Sequence, residues 1–151
     1  MSDLARTLVA NPRFRWMPGL SVGADGGAGN DWISGTDADG NVFVFGFWID
    51  GDALREGRVV LANPTDVEPD QIPSAATLDP SDPATAGILL AMLYMESARV
   101  SLTMENIDGF TLVVHLNDES RRLPLQPHYT ETFRGDDLGE ACAKALIAVW
   151  A

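Results

Sequence analysis

At 151 residues, 46% hydrophobic and 21% charged, the chain has the size and composition of one folded domain with a real core. A net charge of −12 and a pI near 4.3 argue against a nucleic-acid binder, which needs Lys and Arg to displace counterions from phosphates, and against anionic membrane surfaces. The single cysteine, Cys142, excludes an intrachain disulfide and fits a reducing cytoplasm.

The charge is unevenly spread. Residues 25–82 hold 12 of the 22 acids but only two bases, Arg55 and Arg58. The start, Met1-Ser2-Asp3-Leu4, lacks the basic and apolar pattern of a signal peptide, and the longest apolar run, residues 86–95, is short of a membrane span. The expectation is a soluble, cytoplasmic protein.

Residues 3–10 read as a short helix that Asn11-Pro12 ends, because the residue before proline avoids helical geometry. Phe14 and Trp16 alternate with Arg13 and Arg15 as in a short strand, and Pro18-Gly19 reads as a turn. Residues 23–29, with four glycines, read as a flexible loop. Residues 31–35 and 42–49 read as strands joined over Asp39-Gly40. The second is apolar on both faces, so it is either central in a sheet or offers one face to a partner. Trp16 and Trp48 are expected in the core and Trp32 at the surface.

Residues 50–57 read as a polar turn and 58–62 as a third strand. Residues 63–82, with four prolines before Pro83 and five acids, read as an acidic connector without regular structure. Asp82-Pro83 opens a helix to about residue 98: Asp caps, and proline at the first helical position forgoes an N–H that would be unpaired anyway. Its apolar residues run nearly all round, which predicts deep burial. Residues 99–105 and 110–116 read as a hairpin, 117–132 as a polar loop with a short edge strand, and 136–150 as a last helix with Leu138, Cys142, Ala145 and Val149 on its core face. The fold expected is α+β in a single domain: a mainly antiparallel sheet of about five strands with two long helices and a short N-terminal one.

Two segments carry a resemblance. Asn11-Pro12-Arg13-Phe14-Arg15-Trp16-Met17-Pro18-Gly19 and Asp82-Pro83-Ala84-Thr85-Ala86-Gly87-Ile88-Leu89-Leu90 resemble motifs of small proteins encoded by bacteriophages and prophages, which also end in an alanine-rich helix. The resemblance covers about a third of the chain. It implies a mobile genetic element in a bacterium as the setting, and it carries over no catalytic residue.

The candidate sites are sparse. Asp37-Ala38-Asp39-Gly40-Asn41 looks like part of a calcium loop. With Gly40 at position six, positions one and twelve fall on Gly35 and Gly46, which offer no ligand, so a hairpin turn is the better account. His115, His128 and Cys142 lack zinc-ligand spacing, and no nucleophile elbow or phosphate loop is present. No cofactor, metal or catalytic residue is assigned. Asp37, Asp39, Asp50, Asp52, Glu56 and Trp32 are the expected partner-binding residues, and Arg121 with Arg122 forms a basic pair suited to an anion. The reading is a non-enzymatic accessory protein that binds a host or phage protein, with acids that imitate nucleic-acid phosphates to block a defence system. A small-molecule or nucleotide-sequestering protein and a virion assembly protein remain open as alternatives. Direct nucleic-acid binding is not expected, and a homodimer through the aromatic strand is compatible with its two apolar faces.

Overall fold

A computed structural model of the chain describes residues 3–24, 29–63, 67–96, 98–104, 110–116 and 129–151. Four α-helices and three small antiparallel sheets enclose the core among these residues. The fold is therefore α+β, but the single sheet of about five strands is replaced by nine short strands in three groups.

Helix α1 (Asp3–Ala10) forms where the sequence predicts it and buries Ala5, Leu8 and Val9. Phe14 and Trp16 form no strand. Phe14 is fully buried, and Trp16 meets it edge-on at 5.1 Å. Gly19 closes the turn with φ 96 while its N–H bonds Ile33 O at 2.8 Å. The first sheet follows, in the order β2 (Asn30–Trp32), β1 (Ser21–Ala24), β6 (Ala76–Leu78). Thus Gly23 lies in a strand rather than in the expected loop, of which residues 25–28 lie outside the described set. The expected connector likewise contains a 3-10 turn at Pro69–Gln71 and strand β6, whose Ala76 and Leu78 are buried. Proline and charge hid a three-residue strand that β1 recruits by pairing Val22 with Leu78.

The second sheet runs β3 (Gly35–Thr36), β4 (Asn41–Val44), β5 (Phe47–Asp50). The long aromatic strand of the sequence reading is in fact this β4–β5 hairpin, which folds back at Phe45-Gly46. Both turn residues have positive φ, 58 and 81, the signature of a type I′ turn. Positive φ is costly for phenylalanine, and two things offset it: Asp31 Oδ2 accepts the Phe45 N–H at 3.1 Å, and the ring packs on the core. Val42, Val44 and Ile49 are buried, but Trp48 is 39% exposed and so is not the core residue expected. Residues 50–57 are not a polar turn. They hold helix α2 (Gly51–Arg55), with Asp50 as its cap. The expected third strand at 58–62 reduces to isolated bridges, Ile49 with Leu61 and Arg58 with Ala75.

The third region is built from longer elements. Helix α3 (Pro83–Met95) is capped by Asp82, whose carboxylate accepts Thr85 N–H at 2.9 Å. The hidden Thr85 hydroxyl in turn accepts Ser21 N–H at 2.7 Å, locking α3 to β1. Leu89, Met92 and Leu93 are buried, but Tyr94 and Met95 are not, so the helix is less deeply set than its composition predicts. Strands β7 (Ala98–Met104), β8 (Phe110–Leu116) and β9 (Tyr129–Gly135) form the third sheet in sequence order. The edge strand β9 has seven residues where a short one was expected. Helix α4 (Leu138–Trp150) starts behind its cap Asp137 and packs on α3, α1, β8 and β9. Its buried face, Ala141, Cys142, Ala145 and Leu146, is the floor of the core. Among the described residues, no helix is long and apolar enough to cross a membrane.

Candidate functional site: the acidic end of the β4–β5 hairpin

The structure gathers four of the candidate acids at one end of the second sheet. The β3–β4 turn carries Asp37 and Asp39, and register sets Asn41 opposite Asp50, where β5 runs into α2. The two segments touch closely: a Cβ added to Gly51 would stand 2.1 Å from Gly40 O. Only glycine permits this contact, and Trp16 Nε1 donates to Gly51 O at 3.1 Å beside it.

The four carboxylates then divide. Asp37 is committed to its own turn. Its Oδ1 accepts the N–H groups of Asp39 at 3.0 Å and Asn41 at 2.8 Å, and its Oδ2 accepts Asn41 Nδ2 at 2.9 Å. Desolvation raises its pKa, but the bonds from the Asn41 side chain and from the backbone of Asn41, Asp39 and Gly40 outweigh it and hold the carboxyl below its ordinary 3.8. Asp50 is committed to α2, accepting the N–H groups of Asp52 and Ala53. Asp39 and Asp52 are exposed, and among the described residues neither carboxylate accepts a hydrogen bond.

The other candidates lie apart. Glu56 is at the far end of α2 and pairs with Arg58 at 2.6 Å, with both side chains more than half exposed, a geometry worth little in water. Trp32 is in the first sheet, 51% exposed, with Nε1 3.4 Å from Asp82 Oδ2. Arg121, Arg122 and His128 lie outside the described residues, as does the side chain of His115.

Sequence reasoning missed Arg55. Its guanidinium donates to Asn11 O at 2.9 Å, to Val9 O at 3.4 Å and to Phe14 O, and it stands 5.9 Å from the centre of the Phe14 ring. Burial lowers its pKa, as does Arg15, while Asp52 raises it, and arginine stays charged throughout. The cation closes the C-terminal end of α1, where carbonyls lack helical partners and the dipole favours positive charge. The available signal was that Arg55 is one of only two bases in the acidic stretch. Cys142 is fully buried, and burial together with the Asp137 charge pushes its thiol up to about 12, so it is protonated and a poor nucleophile at neutral pH. Among the described residues, no group of three or more His, Cys, Asp or Glu side chains is placed to hold a metal ion.

Both resemblance motifs supply framework contacts: Phe14, Trp16 and Gly19 in the first, Asp82 and Thr85 in the second. No family model, curated protein or solved structure matches the chain.

Proposed function

We propose that this chain is a non-enzymatic accessory protein of a phage or prophage, acting in the bacterial cytoplasm by docking on a basic protein surface. The observation that supports this reading is the division of labour at the acidic end. Asp37 and Asp50 stabilise the backbone there, whereas Asp39 and Asp52 project charge beside them and accept no hydrogen bond among the described residues, Asp52 within the field of Arg55. Carboxylates set on a fixed frame give a cationic partner a defined target without ordering a loop on contact. In the sharper form of the proposal, the partner is a nucleic-acid-binding protein of host defence, and these acids stand where phosphates would sit.

The experiment is affinity purification from a bacterial host at two salt concentrations, comparing the native chain with the double variant Asp39→Lys, Asp52→Lys. A basic protein should be retained at low salt, released at about 0.5 M salt, where screening reaches contact distances, and lost with the variant. Identical captured proteins from both chains would sink the proposal.

A further inference from the structure

The surface least like the rest of this acidic molecule is the outer edge of the third sheet. Strand β7 bonds β8 on one side, and no described strand lies on the other. Alternate residues of a seven-residue edge therefore aim backbone N–H and C=O groups outward. Val100, Leu102 and Met104 share one face of β7 by strand alternation. Val100 packs on the core, but the helical layer stops short of the other two: Leu102 is 48% exposed and Met104 is 71% exposed. The end of α3 adds two more exposed apolar side chains, Tyr94 and Met95, and Tyr94 Oη donates to Val100 O at 3.3 Å. Exposed apolar side chains next to an open backbone edge are features that soluble monomers suppress.

We propose that β7 is the docking edge for a second copy of this chain, paired antiparallel about a two-fold axis through Ser101 to give one continuous six-stranded sheet. Charge selects the occupant. Two chains of net −12 repel across most faces, yet Ala98–Met104 contains no acid and one base, Arg99. A two-fold normal to the sheet must pass through a residue, because directly opposed side chains share a face. Centring on Ser101 uses the whole strand. It sets Val100 against the partner's Leu102, Ala98 against the partner's Met104, and Arg99 against the partner's Thr103. Apolar meets apolar on the helical face, and polar meets polar on the other. The two arginines then lie four residues apart along the ladder, roughly 14 Å, beyond the screening length in physiological salt. The axis also leaves both helical layers on one side of the joint sheet, so the two ends of α3 cover the apolar strip together. A basic partner is attracted by acids, which this strand lacks, and a self-complementary edge is the isologous geometry of a two-fold dimer. This inference is independent of the acidic end.

The test uses the full chain in sedimentation velocity across 1–200 µM, with the double variant Leu102→Glu, Met104→Glu at exposed positions. The native chain should sediment as a dimer at the upper concentrations, and the variant as a monomer with an unchanged circular dichroism spectrum. A second reading does not depend on that variant folding. Ser101→Cys should form a disulfide-linked dimer on mild oxidation, because the axis brings the two copies of this position face to face, whereas Arg99→Cys should not. Cys142 is buried and stays silent. A native chain that remains monomeric at 200 µM, a dimer indifferent to both glutamates, or equal crosslinking at positions 101 and 99 would each overturn the proposal. So would a monomer whose β7 edge binds only a different protein.

Discussion

The two halves of the molecule reach a sealed core by different physical means. In the half around the β4–β5 hairpin, strands of two to four residues bury little each, and polar ties fix the arrangement: Asp37 on its turn, Asp31 on Phe45, Asp50 on α2 and Arg55 on the end of α1. In the half around α3, α4 and the third sheet, elements of seven and thirteen residues present continuous apolar faces, and polar groups appear mainly at helix caps. Short elements need specific bonds to define them, whereas long ones are defined by periodic burial. In each half a glycine at the start of a helix lies against the backbone of another segment, Gly51 in one and Gly139 in the other, and this allows a direct comparison.

A Cβ at Gly139 would stand 1.7 Å from Pro80 O, and one at Gly51 would stand 2.1 Å from Gly40 O. Gly139 is in the first turn of α4, which is pinned along its length by α1, α3, β8 and β9. Gly51 begins a five-residue helix against an exposed turn that has room to move. Gly139→Ala should therefore cost about 3 kcal/mol and Gly51→Ala about half as much, measured as shifts in urea midpoint with unchanged slope. Equal losses would show that the hairpin half is as rigid as the helical half.

Arg55 tests whether polar ties carry the hairpin half. Arg55→Ala removes the donor that ties Val9 O of α1 to Asn11 O and Phe14 O of the following segment, leaving Asn11 O with the Phe14 N–H and Phe14 O with Arg15, and it removes the cation facing Phe14, for an expected loss of about 2 kcal/mol in equilibrium unfolding. Arg55→Lys should recover less than half of that, because an ammonium cannot fork across carbonyls contributed by both α1 and the segment after it. Full recovery would mean that charge alone, rather than the fork, holds the segment.

The same contrast explains what could be read from the sequence. Helices α1, α3 and α4 and the β7–β8 pair were legible because caps and periodicity extend over a whole element: Asp82-Pro83 marks one start, and alternation from Phe110 to Leu116 marks a strand. The hairpin at Phe45-Gly46 was hidden because its turn uses a phenylalanine at positive φ, which only the Asp31 bond and core packing make tolerable. Strand β6 was hidden inside a proline-rich acidic segment because its stability comes from β1, far away in sequence. At the candidate site, the residues 37–39 and 50–52 could be named from composition. Their convergence could not, since it depends on the contact of Gly51 with Gly40. Nor did the sequence separate acids that hold backbone from acids left exposed.

That last distinction is accessible through acid titration. Asp37 in the hairpin half and Glu140 in the helical half are both held below their ordinary values, by different arrangements. For Asp37 the opposing desolvation is outweighed by the bonds from Asn41, Asp39 and Gly40. For Glu140 the Asp136 N–H is the largest influence, followed by the Lys144 side chain 3.0 Å away. A carboxyl whose folded pKa is depressed adds stability that is fully present above its unfolded value. That stability is lost as pH falls through the folded one. For Asp37 the loss begins below about 3.8, the ordinary carboxyl value, and for Glu140 below about 4.5. Melting temperature should fall through this acid range in the native chain and fall less steeply in Asp37→Asn, with a smaller difference than either Gly139→Ala or Arg55→Ala produces at neutral pH. Carbon-detected NMR of the side-chain carboxyls gives the site-resolved check: the Asp37 midpoint should lie below 3.8, and Asn41→Ala, which removes the largest of its stabilising bonds, should move it up. A midpoint unmoved by Asn41→Ala would mean that the turn does not hold Asp37, and the division between structural and displayed acids at this end of the sheet would fail with it.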